Sequence, residues 1–365
     1  MRTNVVCITQ PKSTPSGSVR STRSGTGTGS TARQRPCRFA PARTIYARSD
    51  GSPSLASVGR PIVPSTPTAP ARRAPAAAGA DAPTARVYSL VRERPGMTTT
   101  RSLREKAGSE PITMLTAYDA PTASVVEAAG VDAVLVGDSM GNAVLGYDST
   151  LPVTLEEVES RTAAVARATD EALVVADMPF LSFGVDDADS VENAGRLLKE
   201  ADADAVKLES GPHTVELTRR LSDLGIPVMA HLGLTPQHVN KLGYARQGTD
   251  RDAAERILEL ARDHEAAGAF SLVLEHVPSN LAAQVTDALD TPTIGIGAGP
   301  DVDGQVLVIT DVLGLSDRSP PFSEQFGDVR GEMERAVSGF REAVEGGEFP
   351  AEEHGHVEGD VDDIY

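Results

Sequence analysis

The sequence is poor in sulfur and aromatic chemistry. Its 365 residues include two cysteines, Cys7 and Cys37, no tryptophan, and only 4% aromatic residues. From Met97 onward there is no cysteine, so disulfides, Cys-ligated zinc and a cysteine nucleophile are excluded there. No uninterrupted apolar run approaches the roughly 20 residues that a membrane-spanning helix needs. The N-terminus also lacks the apolar core of a secretory signal. A soluble, cytoplasmic protein is the expectation.

Basic residues are scarce in one part of the chain only. Residues 1–96 carry fifteen basic and three acidic residues, a balance of +12. From Met97 to Tyr365 the counts are 19 basic and 49 acidic, or −30. Two segments so opposed are not expected to share a core. The first, with stretches such as "STPSGSVRSTRSGTGTGSTARQRP", is rich in Ser, Thr, Pro, Gly and Arg and is expected to be disordered. An organellar transit peptide and a basic arm for nucleic acid are two readings of it. The third, preferred here, is upstream sequence before a true start at Met97. Residues 97–365 then form the catalytic domain. Its acidity excludes nucleic acid as a partner, because phosphate repels carboxylate. Such a surface suits a protein that works at high salt.

What the acidic part does have is a repeated alternation. Eight short apolar runs, "ITMLTAYD", "VDAVLVGD", "ALVVADMP", "DAVKLESG", "PVMAHLG", "SLVLEHV", "TPTIGIGAG" and "QVLVITDV", are spaced by helical stretches such as "ENAGRLLKEADA" and "DAAERILELARDHEAAGA". Strands apolar on both faces belong to parallel sheets. Eight strand–helix units in this length predict an α/β fold of the (β/α)8 barrel type, with a doubly wound open sheet as the alternative. "GIGAGPDVDG" after the seventh run reads as a turn with left-handed glycines rather than a phosphate loop. Asp148, Ser149 and Thr150 are expected to cap a helix starting near Leu155.

In such barrels the active site lies at the C-terminal ends of the strands. The second strand runs into Asp138 and Ser139, the third into Asp177, the fourth carries Lys207 and Glu209, the fifth holds His231, and the sixth ends at Glu275. Lys207 and Glu209 are two apart and share a face. If that face is the interior, they meet Asp138 and Asp177. Carboxylates converging beside one lysine suit a hard divalent cation such as Mg2+. Singly, each residue also has a structural reading: Asp138 as a helix cap, Lys207 with Glu209 as an ion pair, His231 as a core histidine. His213, His238, His264 and His276 lack the strand-end placement, and His264, inside a helical run, is expected at the surface.

The motifs "MLTAYDAPTA", "VLVGDSMGNAVLGYDSTLPVT", "VVADMPFLSFG", "AVKLESG", "PVMAHLGLTPQHVN", "LVLEHVP" and "PTIGIGAGPDVDGQVLV" resemble those of the 3-methyl-2-oxobutanoate (ketopantoate) hydroxymethyltransferase family, in order, from about Ser102 to about Glu353. The resemblance implies a barrel of the phosphoenolpyruvate/pyruvate type. It implies transfer of a hydroxymethyl group from 5,10-methylenetetrahydrofolate to 3-methyl-2-oxobutanoate, giving 2-dehydropantoate for pantothenate and coenzyme A synthesis. It carries over Asp138, Asp177 and Glu209 as ligands of one Mg2+ per subunit. Asp138, Ser139, Asp177, Lys207 and His231 become oxoacid contacts, and Glu275 the general base. Gly141 and Gly146 are expected to let their loop approach the substrate. A homo-oligomer, usually a decamer in the family, is also implied. Departures are modest: His276 stands where a small residue is common, and His238 at a variable position. The enzymatic alternative is a Mg-dependent 2-oxoacid carbon–carbon lyase of the isocitrate lyase/phosphoenolpyruvate mutase type. Those enzymes typically use a cysteine loop, which this domain lacks.

Overall fold

The structure, a computed structural model, describes residues 96–359. The expected N-terminal extension, residues 1–96, therefore lies outside the described residues except for Gly96.

All eight expected strands form: β1 (Ile112–Thr116), β2 (Ala133–Val136), β3 (Leu173–Asp177), β4 (Ala205–Glu209), β5 (Val228–Gly233), β6 (Ser271–Glu275), β7 (Thr293–Ile296) and β8 (Gly304–Leu307). Each pairs in parallel with its sequence neighbour, and β8 closes on β1, so the sheet is a closed barrel rather than an open one. Closure needs Gly304: a Cβ there would sit 2.5 Å from the Ile112 carbonyl oxygen.

The strands are apolar on both faces because both faces are covered. Leu135, Val175, Ala205, Met229 and Val273 pack inward in one buried cluster. Their alternates Val134, Val136, Val174, Val206 and Leu208 pack outward in a second cluster that includes Val158 and Leu197 from the surrounding helices. The short helix Thr100–Lys106 closes the N-terminal end by sending Leu103 into the inner cluster, where it is fully buried. Burying one leucine in this way contributes about 2 kcal/mol.

The two ends of the barrel treat carboxylates differently. At the N-terminal end strand amides point outward and want acceptors. Asp132 accepts from Thr113 N at 2.8 Å, and Asp303 from Thr293 N at 2.8 Å. At the C-terminal end the strands present carbonyls instead, so a carboxylate there must find another partner. That is where Asp138, Asp177, Glu209 and Glu275 lie.

Two local expectations are corrected. The helix Leu155–Ala166 does start at Leu155, but its cap is Thr154, in a capping box with Glu157, and not Asp148 to Thr150. His264 is not at the surface. It is fully buried on the inner face of the helix Arg251–Ala266, with Thr218 Oγ1 3.0 Å from its Nδ1. Ile257, Ala261 and His264 are spaced four and three apart, so they share the face that meets the barrel.

Candidate active site

Strand register builds the site. In the ladders Asp177 lies opposite Lys207, Glu209 opposite His231, and Gly233 opposite Glu275. Alternation turns Asp177, Lys207, Glu209, His231 and Glu275 inward, onto the same side as the inner core. The expected parity of Lys207 and Glu209 is therefore met. With Asp138 and Ser139, just beyond β2, these residues line one cavity of about 130 Å³ at the C-terminal mouth of the barrel. All seven sequence-derived site residues meet there.

Within it, Lys207 Nζ lies 2.6 Å from Asp177 Oδ1, so the lysine pairs with Asp177 and not with Glu209. The other Asp177 oxygen accepts from the Asp138 backbone N–H at 2.9 Å. That approach depends on Gly137, where a Cβ would fall 3.2 Å from Asp177 Oδ2. Burial, then the charges of Asp177 and Glu209, push the Asp138 carboxyl well above its usual range, while Lys207 pulls it the other way. Burial opposes the charge on Lys207, but Asp177, Asp138 and Glu209 outweigh it and hold the ammonium above its ordinary range. Three buried carboxylates thus share one ammonium. A donor set of oxygens in excess of its cations fits a hard divalent ion. Among the described residues, no three His, Cys, Asp or Glu side chains stand together as a finished metal cage.

Glu275 is set apart. Its carboxylate oxygen lies 3.1 Å from His231 Nε2, and its side chain is 17% exposed, against 4% for Asp177 and 3% for Glu209. Of these carboxylates it is the one that opens most to the cavity. Lys207 Nζ and His231 Nδ1 are 3.5 Å apart, so a chain of polar contacts runs from Asp177 through Lys207 and His231 to Glu275. Asp138 is no helix cap: the residue capping Met140–Ala143 is Ser139, which makes no side-chain capping bond. Its hydroxyl instead meets Tyr118 Oη at 2.9 Å. Burial drives that phenol far above its normal range, so it stays a neutral partner.

Sequence reasoning missed several residues. Gln237 is the most consequential. Its Nε2 donates to Asp138 Oδ2 at 2.8 Å, and its backbone N–H lies 3.0 Å from both Glu209 oxygens, linking the loop after β5 to two site carboxylates. His238 Nδ1 follows at 3.5 Å from Glu209 Oε2. Thr150, read as a cap, is buried and lines the cavity with a hydroxyl that has no partner among the described residues. Gly141 serves the loop itself: a Cβ there would sit 2.9 Å from Ser149 O. The glycines after β7 behave as expected, with φ of +63° at Gly297 and +89° at Gly299. Gly297 admits Phe322, whose ring would lie 2.7 Å from a Cβ there, and Gly299 admits Ser279, whose Cβ would lie 2.4 Å from one. A larger cavity, about 590 Å³, lies outside the barrel wall among His213, His238, Lys241 and Arg256 and holds none of the strand-end carboxylates.

A closed parallel barrel whose C-terminal mouth gathers carboxylates, a lysine and a histidine in a small cavity defines the class: a (β/α)8-barrel enzyme acting on a small polar substrate. The family model described as Ketopantoate hydroxymethyltransferase matches residues 97–352, and the chain belongs to that family of transferases. It is 72% identical over 265 residues to 3-methyl-2-oxobutanoate hydroxymethyltransferase of Natronomonas pharaonis, covering 73% of this chain and 99% of that one. The enzyme of the same name from Halobacterium salinarum is 71% identical over 274 residues, covering 74% and 100%. Among solved structures, 2,3-dimethylmalate lyase, a PEP mutase/isocitrate lyase superfamily member, matches with a TM-score of 0.43 and 18% identity over 68% of this chain and 87% of that one. At that score the likeness decides nothing about the reaction.

Proposed function

We propose that the protein transfers a hydroxymethyl group from 5,10-methylenetetrahydrofolate to 3-methyl-2-oxobutanoate, consuming one water and yielding 2-dehydropantoate and tetrahydrofolate. The observation that carries this reading is the division of labour among the carboxylates. Asp138, Asp177 and Glu209 are sealed around Lys207, whereas Glu275 opens to the same cavity.

Asp138, Ser139, Asp177, Lys207 and His231 bind and orient the oxoacid. Glu275 removes the C3 proton, and its contact with His231 Nε2 fixes which oxygen does so. Lys207 and His231 face the oxygen on which charge then develops, inside a cavity where such contacts act without rearrangement. The enolate carbon forms its bond to the donor's one-carbon unit, whose carbon–nitrogen bonds break as water supplies the hydroxyl. Mg2+, one per subunit, would be held by Asp138, Asp177 and Glu209 and would supply Lewis acidity toward the oxoacid oxygens. The chain assembles as a homo-oligomer. The C-terminal helix Val329–Glu345, which buries none of its residues and exposes Met333, Val337 and Phe340, offers surface for this.

The test is direct. Protein started at Met97 should form 2-dehydropantoate only when oxoacid and folate are both present. Activity should fall on chelation and return with Mg2+, and light scattering should give a multiple of the subunit mass. Formation without folate, or no formation with both present, would overturn the assignment. Full activity under chelation would remove the metal from it.

A further inference from the structure

The proposed reaction leaves one buried carboxylate of the catalytic cavity without a task. Asp311 stands in the short helix Ile309–Val312 that follows β8, is 6% exposed, and lines the same cavity as Glu275. Its surroundings differ from those of the other carboxylates. Lys207 serves Asp177, and Gln237 serves Asp138 and Glu209. The cavity that Asp311 lines also takes the apolar side chains of Ile296, Val308, Pro320 and Phe322 from β7, β8 and the segment beyond. Among the described residues its one side-chain partner is Ser319, whose hydroxyl donates to Oδ1 at 3.1 Å. Oδ2 has no donor there. A carboxylate that is nearly buried, faces a cavity and has a single neutral donor keeps acceptor capacity for the N–H groups of a ligand.

Phe322 lines the same cavity and is positioned by two contacts. The ring is tilted by 41° against His276 at a centroid distance of 5.3 Å, and it fills the space that only a glycine at position 297 leaves free. The cavity therefore has two unlike halves. One, from β2 to β5, is charged and suits a small oxoacid. The other, from β7 to β8, offers an aromatic side chain, apolar packing and one carboxylate. Glu275, on β6, sits between them.

We infer that the second half binds the heteroaromatic ring of the one-carbon donor, with Asp311 accepting from its 2-amino-4-oxopyrimidine edge and Phe322 packing against its ring system. The inference rests on the proposed hydroxymethyl transfer and says where the second substrate is read. The chemistry fits this class of ligand closely. That edge presents two parallel N–H groups, from the ring amide and the 2-amino substituent. A carboxylate is the acceptor that takes both at once, in charge-assisted bonds. Each carboxylate oxygen has two lone pairs, so the bond from Ser319 does not block the second donor. A flat ring seated against Phe322 also gains apolar contact that the oxoacid half cannot offer. Ordering along the barrel then brings the donor's one-carbon unit to the boundary between the halves, where Glu275 exposes the reacting carbon.

The experiment compares two reactions of the full chain. One is complete transfer, with 5,10-methylenetetrahydrofolate varied at saturating oxoacid. The other is exchange of the oxoacid C3 proton with deuterium in the absence of folate. Asp311→Asn keeps the shape but turns one acceptor oxygen into a donor. It should raise the folate KM about tenfold or more, the scale of a charged hydrogen bond, and leave exchange at the wild-type rate. A tetrahydrofolate analogue bearing a 2-methyl in place of the 2-amino group should compete about tenfold or more weakly than its parent against wild-type enzyme. It should lose that handicap against Asp311→Asn. An unchanged folate KM, or exchange slowed as much as transfer, would show Asp311 to be a support of the fold or of the oxoacid site, and would overturn the inference. If Asp311→Asn does not fold, Ser319→Ala serves instead: the folate KM should shift several-fold at unchanged exchange, and no shift overturns the inference. If wild-type enzyme neither exchanges nor transfers, the proposed reaction itself has failed.

Discussion

Glu275 and Asp177 are both carboxylates at the ends of barrel strands, yet their surroundings differ in the way the tasks proposed for them require. Asp177 has a lysine on one oxygen and a backbone N–H on the other, two donors that stabilise its charge and make it the weaker base. Glu275 has an imidazole on one oxygen and opens to the cavity. Substituting Glu275→Gln leaves the volume and the contact with His231 nearly unchanged but removes the basic oxygen. Exchange of the oxoacid C3 proton with deuterium should then fall about 10²- to 10⁴-fold, the usual contribution of a general base. Oxoacid affinity, read by calorimetry, should stay within a few-fold. Exchange persisting at the wild-type rate would assign the base to another residue. The strand-end residues were legible because a charged side chain ending an apolar run violates the local pattern. Gln237 and Thr150 were not, since an amide or a hydroxyl inside a polar loop violates nothing. Only the chain's return from β5 across to Asp138 reveals Gln237.

At the scale of elements, the strands were legible and the helix faces less so. Each apolar run is bounded by Asp, Gly or Pro, and a strand covered on both faces has no alternation that could mislead. A helix must be placed by its stripe, and on Arg251–Ala266 the stripe contains a histidine. Treating every polar residue of that helix as solvent-facing put His264 on the wrong side. Its position has a measurable consequence. Burial lowers the His264 pKa from 6.5 to about 4. The folded state therefore refuses a proton that the unfolded chain accepts. Between those two values the unfolded chain binds more protons, so stability rises with pH across this window and falls as pH drops below 6.5. By linkage, going from pH 7 to pH 5 should cost about 2 kcal/mol through this residue alone. Urea midpoints measured at both values should show that loss in the wild type, and a clearly smaller one in His264→Gln. Equal losses in the two proteins would mean that carboxylates, not His264, set the acid sensitivity.

For the whole molecule, the dominant physical fact is charge. From Met97 the chain has 49 acidic against 19 basic residues, yet the barrel must remain compact. The site supplies only a few of these charges, Asp138, Asp177 and Glu209 buried near Lys207 and Glu275 beside His231. Most of the repulsion lies between surface carboxylates, whose interaction depends on ionic strength. The screening length is about 10 Å at 0.1 M salt and about 3 Å at 1 M. At low salt, like charges on neighbouring helices repel across distances comparable to their spacing, which opposes the compact state. At molar salt they do not. Melting temperature should therefore rise steadily from dilute buffer to molar KCl, and activity should follow because the folded fraction follows. The buried pair Lys207–Asp177 is screened far less, so the oxoacid KM of the folded fraction should change much less than the amount of active enzyme. Sucrose at matching osmolality separates the causes. It favours burial without screening charge, so if it stabilises as well as KCl does, exclusion from the surface explains the effect and charge repulsion does not. If the protein is as stable in dilute buffer as in molar KCl, the acidic surface is no adaptation to salt at all.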